Sequence, residues 1–189
     1  MTRHRSCTFT DTVLLTLNFT AERQNTGILN YFSLKKRTPP SKSAFTQQRK
    51  KFTSDFFPHL LDATNEAFPF KKTYKGHPLI AVDGSDINLT TDKNDKIYCV
   101  KQARSDAQYY QMHLNAMYDI CENRYISAII QPCPQMNEHL AFRQLVSDSH
   151  CPENSIFIAD RGYVSYNTLA FLLENNRFFL IRAKTPGSN

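Results

Sequence analysis

Two short apolar runs in this chain each end in an aspartate followed almost at once by glycine. They are Leu79-Ile80-Ala81-Val82-Asp83-Gly84-Ser85 and Ile156-Phe157-Ile158-Ala159-Asp160-Arg161-Gly162-Tyr163. An apolar run of that length bounded by a turn residue reads as a buried strand. A carboxylate at the carboxyl end of such a strand stands at the rim of a sheet, where open α/β folds place their sites. Two of them on neighbouring strands can hold divalent metal for phosphoryl transfer. On the residues alone a plainer reading stays open for each. Asp83-Gly84 can be a hairpin turn between 79–82 and 86–89, and Asp160-Arg161-Gly162 can be only a turn.

The order of elements in the second half bears on whether these strands are neighbours. Leu79 to Val82 is the first strand, extendable through Ile87 and Leu89, and residues 90–108 are polar and irregular. Tyr110, Met112, Leu114, Ala116 and Tyr118 alternate with Gln111, His113, Asn115, Met117 and Asp119, a period of two that predicts a second strand. Cys121 to Arg124 predicts a turn and Tyr125 to Ile130 a third strand. Asn137 is placed to cap a helix carrying Ala141, Phe142, Leu145 and Val146. A fourth strand follows over Ser155–Asp160. A second helix runs from Tyr166 to Asn175 with Leu169, Leu172 and Leu173 inward, and a fifth strand covers Phe178–Ala183. The order β-β-β-α-β-α-β is that of a ribonuclease H-like sheet with its last helix missing. There the first and fourth strands lie side by side and parallel, consistent with right-handed crossovers.

The first half reads as helical over 9–57, with Ile28, Leu29 and Phe32 on one face. Thr38-Pro39-Pro40-Ser41 breaks it. Ser43 is placed to cap the next helix, on which Phe45, Phe52 and Phe56 share a face around Gln47, Gln48, Arg49, Lys50 and Lys51. Lys35-Lys36-Arg37 forms a short basic turn before it. Helix, basic turn and a Gln- and Arg-bearing helix suit a helix-turn-helix-like DNA module; a small bundle with a solvated charged face accounts for the same pattern. Charge is uneven. Residues 1–80 hold 13 Lys/Arg against 5 Asp/Glu, and residues 81–189 hold 10 against 12, within a net charge of +6. Such asymmetry suggests a basic module for a polyanion joined to something else. A basic connector, residues 69–78, marks the expected boundary, giving a helical DNA-binding region over 1–75 and an α/β domain over 76–189.

The remaining composition excludes several classes. No run of about 18 apolar residues indicates a membrane span. The basic start Met1–Arg5 is followed by Thr12–Ala21, which Thr16, Asn18 and Thr20 break, so no signal-peptide core is present. Five cysteines without a C-x-x-C favour reduced thiols in a cytoplasm. Cys133, His139, His150 and Cys151 match no common zinc spacing.

Four stretches resemble bacterial insertion-sequence transposases of the DDE type. They are Ser43-Ala44-Phe45-Thr46-Gln47-Gln48-Arg49-Lys50-Lys51, Ala81-Val82-Asp83-Gly84-Ser85, His113-Leu114-Asn115-Ala116-Met117-Tyr118-Asp119 and Ile158-Ala159-Asp160-Arg161-Gly162-Tyr163. The nearest branch is insertion-sequence family four, and the resemblance runs from about residue 9 to 184. It implies a helical DNA-binding region followed by a ribonuclease H-like core with a mixed five-stranded sheet. It also implies metal-dependent DNA strand cleavage and transfer, with Asp83 and Asp160 as catalytic and metal-binding carboxylates. Mg²⁺ is the implied cofactor, with Mn²⁺ able to substitute. The partners are double-stranded DNA, both transposon ends and target, and a further copy or a full-length transposase; the location is the bacterial cytoplasm, at the nucleoid. Lys35, Lys36, Arg37, Gln47, Gln48, Arg49, Lys50 and Lys51 are the expected DNA contacts. The family's third carboxylate lies in a Tyr-Arg-Glu-Lys helix, and no Tyr-x-x-Arg-x-x-x-Glu pattern occurs here. The chain therefore reads as an N-terminal portion, inactive alone, with a non-catalytic DNA-binding or inhibitory product as the alternative. Glu138 at a helix start is expected to be a solvent-facing first-turn residue rather than a substitute ligand. His113 is expected to be structural, Glu174 to lie on the surface, and Arg161 to contact phosphate or a carboxylate.

Overall fold

A computed structural model describes residues 7–19, 23–91, 95–101 and 108–183. The basic start Met1–Arg5 and parts of the polar stretch 90–108 lie outside the described residues. The chain divides into two compact units, Met1–Phe57 and Pro58–Asn189.

In the first unit α1 (Phe9–Leu17), α2 (Gln24–Leu34) and α3 (Lys42–Arg49) close over Leu15, Ile28, Phe32 and Phe45, all buried. Thr8 and Asp11 form a reciprocal capping box that starts α1. Asp11 is itself buried and draws in the end of α2. Tyr31, Lys35 and Arg37 all reach its carboxylate, at 3.2, 3.1 and 2.9 Å. Ile28 and Phe32 go inward four residues apart, while Leu29 turns out to solvent. Ser41, not Ser43, caps α3 by accepting from the amide of Ala44 at 3.1 Å.

The helix expected to carry Phe45, Phe52 and Phe56 is shorter than their spacing suggests. α3 stops at Arg49, and the amides of Lys51 and Phe52 bond three residues back instead of four. That tightened last turn ends the helix. Phe52 and Phe56 stack beyond it with ring centres 4.7 Å apart. Lys50 and Lys51 therefore lie past the helix body.

In the second unit, after α4 (Phe56–Ala67), lie β1 (Leu79–Asn88), β2 (Cys99–Lys101), β3 (Gln108–Asp119), β4 (Arg124–Pro132), α5 (Glu138–Asp148), β5 (Ile156–Ala159), α6 (Tyr166–Glu174) and β6 (Phe178–Ile181). The sheet is mixed, in the order β2-β3-β1-β5-β6, with β4 also paired to β3. β1 runs antiparallel to β3 and parallel to β5. The ribonuclease H-like arrangement is thus present, with six strands where five were expected. The additional one, β2, is three residues long and lies in the stretch read as irregular. It forms because the backbone of Tyr109 and its neighbours offers it a free ladder.

Asn137 caps α5 as expected, accepting from the amide of Leu140 at 2.9 Å. Ala141, Phe142, Leu145 and Val146 go under the helix onto Ile80, Val82, Met117 and Phe157. Two faces differ from expectation. In β3 the buried residues are Tyr110, His113, Asn115, Met117 and Asp119, and Met112, Leu114, Ala116 and Tyr118 of the more apolar alternate set are only half buried. In α6, Thr168 and Leu172 face inward and Leu173 is exposed.

Candidate active site

β1 settles the first open reading. It runs unbroken from Leu79 to Asn88, with Asp83 paired to Ala116 and Gly84 to Asn115. Asp83-Gly84 is therefore inside a strand and forms no hairpin turn, and Asp83 does not end its strand as the apolar run suggested. What ends there is the pairing with β5. The last register partners of the parallel pair are Val82 and Ala159. The residue after each is the aspartate, so Asp83 and Asp160 emerge side by side where the two strands part.

Both carboxylates are exposed. Each uses Oδ1 on its own backbone: Gly84 donates to Asp83 at 2.9 Å and Gly162 to Asp160 at 2.7 Å. The second bond lets Asp160 cap the 3-10 turn Arg161–Tyr163. A Cβ on Gly162 would lie 2.9 Å from Asp160 Oδ1, so the glycine keeps the cap open.

Tyr163 at the end of that turn is 2% exposed, against Phe142, and its hydroxyl has no hydrogen-bond partner among the described residues. Burial pushes the phenol well above its ordinary pKa, and the negative charges of Glu138, Asp83 and Asp160 push it further. Three carboxylates thus act on one unpartnered hydroxyl. Such a group is usually satisfied by water or a ligand. Hard carboxylate oxygens at an exposed sheet rim suit a divalent cation that keeps part of its hydration shell. Asp83 and Asp160 fit that role. No group of three or more His, Cys, Asp and Glu side chains is already arranged as a metal cage among the described residues. That applies equally to Cys133, His139, His150 and Cys151.

A second cluster adjoins the first. His113 Nδ1 lies 2.7 Å from Asp86 Oδ1, and its Nε2 lies 3.2 Å from Glu138 Oε1. Asp86 is held below its ordinary pKa chiefly by that histidine. The Cys133 thiol, 3.5 Å from Asp86, is pushed up to about 11, by burial first and then by Asp86. Gly84 has a definite reason to be glycine. A Cβ there would lie 2.6 Å from His113 Nε2 and 3.1 Å from Glu138 Oε1. The close approach is by these side chains.

Asp86, His113 and Tyr163 were not legible as site residues. Asp86 follows Asp83 by three positions, but only strand register reveals that it faces His113. In the first unit, Lys35 and Arg37 are tied to Asp11. Lys36 is exposed with a left-handed backbone at φ 50°. Gln47, Arg49, Lys50 and Lys51 are exposed, and Gln48 accepts from Lys51 Nζ at 3.0 Å.

Residues 74–186 match a family described as "Transposase DDE domain". No protein of curated function matches the chain. Among solved structures, the Drosophila P element transposase strand transfer complex is similar, with a TM-score of 0.50 at 10% identity over 97% of this chain and 43% of that one. A piggyBac transposase synaptic complex with hairpin DNA gives 0.44 at 13% identity, over 99% of this chain and 40% of that one. A Mos1 transposase paired-end complex gives 0.38 at 12%, over 97% and 61%. The first likeness is one of fold. The chain spans less than two thirds of each of these solved chains.

Proposed function

The chain belongs to the transposase DDE domain family, and from that premise we propose that it serves DNA cutting and joining by supplying Asp83 and Asp160 as two of the catalytic carboxylates. The supporting observation is their emergence side by side after the register pair Val82–Ala159. Family membership implies divalent metal, and Asp83 and Asp160 are the residues that would hold it, through oxygens other than those spent on Gly84 and Gly162. Bound there, such an ion would supply activation of the attacking oxygen and stabilisation of the leaving oxygen of a phosphodiester. We assign Mg²⁺, with Mn²⁺ as substitute, because the donors are hard oxygens.

The partner is double-stranded DNA: the ends of an insertion sequence and its target. Residues 1–75 are proposed to bind it and 76–189 to carry the chemistry. Lys36, Arg49, Lys50 and Lys51 supply phosphate contacts, and Gln47 and Gln48 can read adenine edges. Lys35 and Arg37 would act while anchored to Asp11. The exposure of Asp83 and Asp160 leaves room for a backbone phosphate above them.

The test is a Mn²⁺ titration of the full chain followed by electron paramagnetic resonance. Asp83→Asn and Asp160→Asn should each weaken binding at least tenfold. Affinity unchanged by both substitutions would remove the carboxylate pair as the metal site.

A further inference from the structure

The two crossover helices of the second unit pack on one face of its sheet. Phe142 and Leu145 of α5 and Leu172 of α6 share a cluster with Ile80, Val82 and Phe157. Side chains alternate along a strand and register partners point the same way, so the pairing gives the other face. There Tyr125, Tyr118, Ala81, Ile158 and Leu180 form a row across five strands. Leu79, Ile156 and Phe178 form the next row. Neither row holds a charge. The inner members are half-buried by their neighbours, and the outer ones are open: Tyr125 is 58% exposed, Phe178 54% and Leu180 64%. Ile130, paired with Leu114 further along β4, is 55% exposed. The more apolar set of β3 is only half buried because it faces this side. With strands about 4.8 Å apart and same-face side chains about 6.6 Å apart along each, the two rows and the Leu114–Ile130 corner cover on the order of 400 Å² in flat projection. An exposed apolar patch of that size marks an interaction site.

We propose that this face pairs two copies of the chain, sheet on sheet. A face without charge offers an occupant only apolar surface, and a two-fold pair meets it with the same surface. Apolar sheet faces stack about 10 Å apart with their side chains interdigitated. Asp83, opposite Ala116, lies on this face two residues beyond Ala81. A two-fold axis running across the strands at the Ala81 row reverses one sheet against the other. It carries each Asp83 to the Leu79 end of the other copy, so the acids do not meet. Two such faces remove about 800 Å² in flat projection, and more as accessible surface. That is near the low end of specific interfaces, about 1,200 Å² in total, and suits a reversible dimer of micromolar affinity.

The experiment is sedimentation velocity of the full chain, without DNA or metal, from about 1 to 100 µM, a span that brackets such an affinity. A discrete monomer–dimer equilibrium is expected. Leu180→Glu and Tyr125→Glu put a charge at either end of the first row. Each should weaken dimerisation at least tenfold while the circular dichroism spectrum stays unchanged. Leu173→Glu is the control. Leu173 is as open, at 65%, but stands on α6 and so on the covered side of the sheet; its substitution should leave the dimer intact. A chain that is monomeric at every concentration overturns the inference and leaves the face to a different partner. Open-ended association without a discrete dimer, or equal loss in Leu173→Glu, overturns it in favour of non-specific adhesion. A dimer indifferent to both Leu180→Glu and Tyr125→Glu places the contact elsewhere on the chain. Should Leu180→Glu fail to fold, Tyr125→Glu on the opposite edge still decides.

Discussion

Val82 of β1 and Ala159 of β5 are the last register partners of two parallel strands, and this one pairing sets Asp83 beside Asp160. Two exposed carboxylates on adjacent strand ends repel one another. Removing either charge should leave thermal stability unchanged or slightly raised, within about 0.5 kcal/mol. Mn²⁺ should raise the melting temperature of the wild type and not of Asp83→Asn or Asp160→Asn. A melting curve with and without metal reads both effects. A fall of many degrees in the metal-free variants would make these aspartates structural.

Gly84 should resist even alanine. The added methyl would stand 2.6 Å from a buried imidazole nitrogen. Overpacking of this kind costs about 1–3 kcal/mol. Chemical denaturation of Gly84→Ala should show that loss, and the NMR signals of His113 should move. If neither changes, His113 is freer than its 4% exposure implies.

Acid should loosen the first unit through Asp11. Burial alone would raise its pKa. The hydroxyl and amide of Thr8, with Lys35 and Arg37, outweigh that and hold it far below its ordinary value of 3.8. A carboxylate depressed in the folded state stabilises the fold above its unfolded pKa, and that contribution fades as pH falls toward the folded value. The loss should appear below about pH 4. Asp11→Ala should cost about 1–3 kcal/mol at neutral pH and flatten the acid limb. An acid limb of wild-type slope in that variant would place the titrating group elsewhere.

DNA affinity of the full chain should fall steeply with salt, with a slope of roughly −0.9 per phosphate neutralised. Changing Lys50 and Lys51 to alanine should reduce that slope and weaken all sequences about equally. Gln47→Ala should instead relax sequence preference. Anisotropy titrations at several salt concentrations give the slopes. Binding indifferent to Lys50 and Lys51 would leave this face with no role in DNA contact.

The thiol of Cys133 should alkylate slowly at pH 7–8, because it stays protonated until about pH 11. Asp86→Asn removes a negative neighbour and should speed the reaction. Mass-spectrometric rates for Cys133 in the two proteins make the comparison; equal rates would show that burial alone restrains the thiol.

Much of the architecture was written locally. Apolar runs ending in Asp83 and Asp160, the alternation of 110–119, the cap at Asn137 and the proline break at 39–40 are near-neighbour signals, and strands and helices form where they point. The misreadings were local too. Phe45, Phe52 and Phe56 keep a helical spacing across a turn, because spacing cannot report that a helix has ended. β2 was missed because three residues carry no period.

The sequence by itself determined which two aspartates end apolar runs, and the order of strands and helices between them. Tertiary structure alone decided that those runs are neighbours and that Asp83 lies within its strand. It also decided that Asp86, His113 and Glu138 come together on the Gly84 side of β1, and that the Tyr163 hydroxyl has no partner among the described residues. The reason is physical. Strand pairing fixes contacts between residues about thirty or eighty positions apart, as Asp86 with His113 and Val82 with Ala159, and register is set by the packing of the whole sheet rather than by any window of the chain.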